Sequence, residues 1–154
     1  MKIFFQKNIG IFLILLGGLL LAFVAFRSQP GELLRSGNEI SIGGKTWKVE
    51  YARTAEEREL GLGYRERLCG QCGMLFVFPM AGEYGFWMKG MRFPLDILFI
   101  EDGRVLSIER RVTPESEQIL MPPGPVTLVL EVNAGETEGI SLGMPVSGLP
   151  RSGR

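Results

Sequence analysis

Apolar positions along the 154-residue chain follow two different patterns. From Ile9 to Phe26 the run IGIFLILLGGLLLAFVAF is apolar on every side and carries no charge. Its eighteen residues reach about 27 Å as a helix, close to the hydrocarbon thickness of a bilayer. Lys2 and Lys7 precede it and Arg27 ends it. A core helix would show one polar face, which this run lacks. The run is longer than a usual signal-peptide core, and a cut after Ala25 would place bulky Phe23 where a small residue is preferred. The pattern therefore favours an uncleaved anchor over a cleaved signal across residues 1–27. The flanking charges place the N-terminus in the cytoplasm. Residues 28–38, rich in Ser, Pro and Gly, read as a linker.

Past Glu39 the pattern becomes short and alternating. Glu39–Ile42 and Lys45–Ala52 flank Gly43-Gly44, a two-residue hairpin signal. In the second arm Trp47, Val49 and Tyr51 share one face, and Lys48 and Glu50 the other, as in a half-buried strand. Thr54 followed by Glu57 is a capping box, so a short helix should begin at Ala55 and stop at Gly61. Tyr64–Leu68 suggests one more helical turn. Met74–Phe78, Phe86–Lys89 and Leu95–Ile100 read as three strands of a meander, separated by a turn over Pro79–Glu83 and a bend from Gly90 to Pro94. Glu101-Asp102-Gly103 is a tight turn with Arg104–Val112 as hairpin partner. Thr113–Pro125 contains four prolines and must be loop. In Val126–Val132 the positions 126, 128, 130 and 132 face one way and Thr127, Val129 and Glu131 the other. Ala134–Ile140 suggests a helical turn and Met144–Val146 a closing strand. The predicted class is α+β, predominantly antiparallel β: a small barrel-like or strongly coiled sheet with one or two short helices over residues 39–147, and a flexible tail over 148–154.

Composition narrows the chemistry. The chain has no histidine, which removes the commonest general base near neutral pH and the commonest transition-metal ligand. Of 17 basic and 17 acidic residues, four basic (Lys2, Lys7, Arg27, Arg35) and one acidic (Glu32) lie within residues 1–37, leaving 13 basic and 16 acidic beyond. The tightest basic run is Arg110-Arg111, flanked by Glu109. A mildly acidic domain without clustered Lys and Arg is a poor nucleic-acid binder.

Several side chains are candidates for chemistry. Lys89 and Asp96 lie on either side of the Gly90–Pro94 bend, with Trp87 nearby. They read as a polar ligand pocket with a stacking wall, or as a structural pair fixing the bend. Arg58 is placed to clamp Asp96 or Glu131, or a ligand carboxylate. Glu131 alternates against apolar residues, so burial is expected, with Arg58, Lys89 or Arg92 as partner. Asp96 and Glu131 are also a conceivable acid/base pair. Cys69-x-x-Cys72 precedes a strand instead of a helix and has no further Cys or His to complete a zinc site. It reads first as a short-range disulfide and second as a redox dithiol. Met74, Met80, Met88, Met91, Met121 and Met144 read as core filler more readily than as copper(I) ligands.

The order of motifs has a family resemblance. Thr54-Ala55-Glu56-Glu57-Arg58 leads to Gly61-Leu62-Gly63-Tyr64-Arg65. Then come Gly73-Met74-Leu75-Phe76-Val77-Phe78, Phe86-Trp87-Met88-Lys89, Pro94-Leu95-Asp96-Ile97, and Leu130-Glu131-Val132 with Gly135. Over roughly residues 39–147 this resembles the family called domain of unknown function 192. The resemblance implies a compact β-rich fold, commonly exported behind a signal or anchor, and no particular reaction. Two positions depart from the family pattern: Gly90 stands where Asn is usual, and Gly63 where Met is usual. The Cys pair is not part of that pattern.

The resulting expectation is a single-pass protein of the cytoplasmic membrane, anchored through Ile9–Phe26, with its C-terminal domain exported. The domain should act as a non-catalytic accessory module for a small molecule or a protein, without cofactor or metal and without nucleic acid. Its ligand-binding candidates are Trp87, Lys89, Asp96, Arg58 and Glu131. The alternatives are a small hydrolase using Asp96, Glu131 and Lys89, and a thiol-redox protein using Cys69 and Cys72.

Overall fold

A computed structural model describes residues 37–150. The predicted anchor Ile9–Phe26, most of the linker and the last residues of the tail lie outside the described residues. Among the described residues no helix is long and apolar enough to cross a membrane.

Seven strands form one sheet: β1 (Glu39–Ile42), β2 (Lys45–Ala52), β3 (Cys72–Gly82), β4 (Leu95–Glu101), β5 (Arg104–Val112), β6 (Val126–Asn133) and β7 (Val146–Ser147), in the spatial order β5-β4-β6-β3-β2-β1-β7. Among the described residues one helix, α1 (Ala55–Leu60), lies between β2 and β3. The sheet curls until residues at the start of β5 bond to the segment entering β7, through Val105 N to Met144 O (3.1 Å) and Val146 N to Gly103 O (2.8 Å). The architecture is the antiparallel-dominated, strongly coiled α+β sheet that the alternating pattern predicts.

Several elements follow from local chemistry. Gly43 and Gly44 both adopt positive φ, 57° and 82°, as the turn of the β1–β2 hairpin requires. Thr54 caps α1 by accepting from the Glu57 amide, while the Glu57 carboxylate accepts from Thr54 N. Asp102 and Gly103, at φ 48° and 68°, turn β4 into β5.

Other elements differ from expectation. Phe86–Lys89 is not a strand. Only Phe86 makes a bridge, with Leu120. β3 continues to Gly82, through the predicted turn, but its pairing with β6 is irregular between Val77 and Gly82. Pro79 lies in that irregular portion and has no N–H to give a ladder. Nor is there a β3–β4 meander, because β6 inserts between them. β2 and β3 run parallel, Lys48 opposite Cys72 and Ala52 opposite Phe76. Parallel neighbours need a crossover, and α1 with the loop after it supplies one. Tyr64–Leu68 and Ala134–Ile140 form turns and loop, not helix.

Two apolar cores result. The inner one fills the concave face with Ile40, Trp47, Val49, Leu75, Leu98, Leu130 and their neighbours. The outer one, with Phe76, Phe86, Met88, Ile97, Phe99, Leu120 and Val129, joins the outer face of β3, β6 and β4 to the segments covering it. Burial on both faces explains why β4 reads Leu-Asp-Ile-Leu-Phe-Ile with scarcely a polar residue.

Candidate functional site

The outer core opens to the surface beside α1. A groove of about 350 Å³ lies among α1, β3, β6 and the β3–β4 connection. Phe76, Phe78, Tyr84, Phe86 and Trp87 supply rings, Arg58 and Lys89 supply cations, and Glu131 supplies a buried carboxyl.

The walls are fixed by interlocking rings. Phe86 meets Phe76 edge-on at 5.0 Å between centroids and Phe99 at 5.8 Å, and Phe78 stacks on Tyr84 at 3.6 Å. The connection carrying Tyr84 to Lys89 is held by paired backbone bonds between Phe86 and Leu120, 2.9 and 2.7 Å, and by Tyr64 N donating to Gly90 O at 2.8 Å. Gly90 has φ 76°. Asn tolerates that left-handed region as well, so Gly in place of the family's usual Asn keeps the backbone path. Gly63 sits tightly: a Cβ there would lie 2.9 Å from the Leu60 carbonyl oxygen. A Met at that position would require the turn after α1 to shift.

Arg58 does not clamp either acid. Its Nη1 donates to the carbonyls of Arg53 and Val77, and the guanidinium lies over Phe78 at 5.2 Å. It thereby ties α1 to β3 as one wall. Lys89 lies over the Trp87 ring at 5.8 Å and forms no ion pair among the described residues. Trp87 is 55% exposed at the rim.

Glu131 sits at the centre of the sheet, opposite Met74 of β3 and Ile97 of β4. β3 approaches closely because Gly73 has no side chain: a Cβ there would lie 2.7 Å from Glu131 O. Glu131 is 5% exposed, and no described residue gives its carboxyl a hydrogen bond or an ion pair. Burial pushes its carboxyl up to about 8. The expected partner is therefore missing: Arg58 is bonded elsewhere, and Arg92 pairs with Glu66.

Asp96 is elsewhere. It lies with Leu98 and Ile100 on the other side of β4 from Ile97, so it faces away from the groove. A bulge in β5 sets Arg110 and Arg111 opposite it, with Arg111 at φ 55°. The Arg111 amide donates to Oδ1 at 2.8 Å. The amides of Gly135 and Thr137 and the Thr137 hydroxyl donate to Oδ2 at 2.9, 3.0 and 2.7 Å. Asp96 thus ties β4, the bulge and the turn after β6 together. It makes no pair with Lys89 and no acid/base couple with Glu131.

Cys69 and Cys72 are joined by a disulfide. Its loop is held by Asn133 Nδ2 donating to Cys69 O at 2.9 Å and by Gln71 N donating to Glu136 at 3.0 Å. Glu136 also accepts from Trp47 Nε1 at 2.7 Å. The sequence gives no sign of this hub, because its parts are 89 and 65 residues apart. The groove walls Phe76, Phe78, Tyr84 and Phe86 were likewise absent from the expected site. The crowding of five aromatic residues between positions 76 and 87 is the signal that marks them.

A curled β domain with a small aromatic groove over a buried carboxyl is thus the class of protein described. The model of domain of unknown function 192, described as an uncharacterised ACR, matches residues 38–148, and the chain belongs to that family. No curated protein matches the chain. A crystal structure of a protein of unknown function from Novosphingobium aromaticivorans is similar, with TM-score 0.68 and 34% identity, covering 71% of this chain and 83% of that one. A proposed transcription regulator from Sinorhizobium meliloti is similar with TM-score 0.67 and 37% identity, covering 72% of this chain and 94% of that one.

Proposed function

We propose that the domain is a non-catalytic binding module for a small molecule, held at the outer face of the cytoplasmic membrane by Ile9–Phe26. The observation that carries the binding reading is Glu131: a nearly buried carboxyl lining an aromatic groove, to which no described residue donates. Buried polar groups are normally bonded, and one left open in a concave, mostly apolar site is a place for a ligand's polar end. The hydrolase alternative lacks its second carboxyl, since Asp96 is turned away and saturated with donors. A regulator role such as that given to the Sinorhizobium protein requires clustered cations for phosphate. Here the nearest pair, Arg110 and Arg111, is engaged by Ile140 and Glu138.

Trp87 at the rim reports occupancy. Titrating the full chain with a metabolite panel should give saturable changes in tryptophan fluorescence, lost in Trp87→Phe while buried Trp47 still emits. A panel with no saturable response rules the module out. For the tether, the full chain should stay with membranes through alkaline extraction, and a chain lacking residues 9–26 should not. Release of the full chain by alkali removes the anchor from the proposal.

A further inference from the structure

We propose that the groove takes a small arylalkyl amine, its ammonium group seated on Glu131 and its ring among Phe78, Phe86 and Trp87. This rests on the small-molecule reading above and names the ligand's chemistry.

The sheet contains its own comparison. Asp96 and Glu131 are both buried carboxyls on adjacent strands. Four donors from the protein surround Asp96. Glu131 receives none among the described residues, although two cationic side chains line the same groove. Arg58 is held by the Val77 carbonyl and Lys89 lies over Trp87. Once ionised, the Glu131 carboxylate can only accept, and what the site then lacks is a donor; an ammonium group offers three.

The walls select the charge of that donor. Aromatic faces are electron-rich and attract a cation more than a neutral or anionic group. The charged side chains beside Glu131 do not oppose this: Arg58 and Lys89 are matched in number by Glu59 and Glu83. The groove's 350 Å³ is in the range of small-ligand sites.

The charge balance gives the proposal a signature. Burial pushes the carboxyl up to about 8, so it holds a proton well above the usual carboxylate range. An arriving ammonium group stabilises the carboxylate, so the carboxyl gives its proton to solvent and the ion pair remains. The other titratable groups facing the groove are Arg58 and Glu59 of α1 and Glu83, Tyr84 and Lys89 of the β3–β4 connection. Met74 and Ile97, across from Glu131 on β3 and β4, carry none.

The test is calorimetry on the full chain with 2-phenylethylamine, 2-phenylethanol and 3-phenylpropionamide, in two buffers of different ionisation heat. The expected result is amine binding with net proton release near neutral pH. Its affinity should rise with pH from 6 to 8, the rise flattening as the carboxyl becomes ionised, and the alcohol and amide should bind at least about tenfold more weakly. Glu131→Gln should cost the amine about tenfold or more and flatten its pH profile. The amine, alcohol and amide are compared on the unaltered protein, so the outcome does not depend on the variant folding. If the alcohol or amide binds as well as the amine, the ammonium assignment falls and the groove reading stands. If none of the three binds and the metabolite panel is also silent, both fall.

Discussion

Two acids of similar burial show how neighbours decide what a residue does. Asp96 is surrounded by amides and a hydroxyl, and its role is to hold a corner. Replacing it with Ala leaves those donors facing each other without an acceptor, at a cost of about 3 kcal/mol. Chemical denaturation of Asp96→Ala should show that loss with the groove's ligand response otherwise retained by the folded fraction. Glu131 has only burial, which raises its carboxyl from the ordinary 4.5 to about 8. Between those values the folded protein keeps a proton that the unfolded chain has released. The resulting stability is fully present below about pH 4.5 and is lost as pH rises toward 8. Melting temperature should therefore fall across that interval, by an amount on the order of a few kcal/mol in free energy. Glu131→Gln should flatten the slope. Glu50 is shifted the other way, mainly by its hydrogen bond from Arg65, and Glu57 likewise by the amides of Thr54 and Arg53. Their contributions are lost as pH falls below about 4.5, so they leave the upper window to Glu131.

At the scale of the element, α1 is short enough that its cap governs it. Six residues make a marginal helix, and none of them is buried. Its value lies in position: it carries Arg58 to the groove wall and makes the crossover that lets β2 and β3 run parallel. Thr54→Ala removes the cap bond to the Glu57 amide and should cost about 1 kcal/mol. Because Arg58 links the helix to the Val77 carbonyl, hydrogen exchange should rise along α1 and at the Phe78 edge of β3 while β4 and β6 stay protected. Uniform loss of protection would show that the helix is not a separable wall. The capping box was legible in Thr54 and Glu57 because it is a local bond between neighbours in sequence. The parallel pairing of β2 with β3 was not, since alternation fixes which face a residue takes but not which strand lies beside it. Phe86–Lys89 failed as a strand for the same reason. Its period is right, but only Phe86 finds a partner, at Leu120 in the Pro-rich loop.

For the whole molecule, the disulfide and the Glu136 hub close one end of the β2–β3 crossover against the turn after β6. A loop this short gains about 2 kcal/mol at most from cross-linking. Replacing Cys69 and Cys72 together with Ser should lower the melting temperature and preserve the fold, because Asn133 and Glu136 still hold the loop backbone. Loss of the folded state would make the disulfide a requirement for folding, and lost ligand response in a folded variant would favour the redox reading. The sequence by itself determined the curled antiparallel class, the hairpin at Gly43-Gly44, the capped helix and the alternation that buries Glu131. Each is set by neighbours a few residues apart and by the period of the backbone. The tertiary structure alone decided that Asp96 and Glu131 face opposite sides of the sheet, that Arg58 bonds carbonyls instead of acids, and that five rings line one groove with Glu131. Those outcomes depend on strand order and on contacts across dozens of residues, where side-chain chemistry states what a group needs and not which group will meet it.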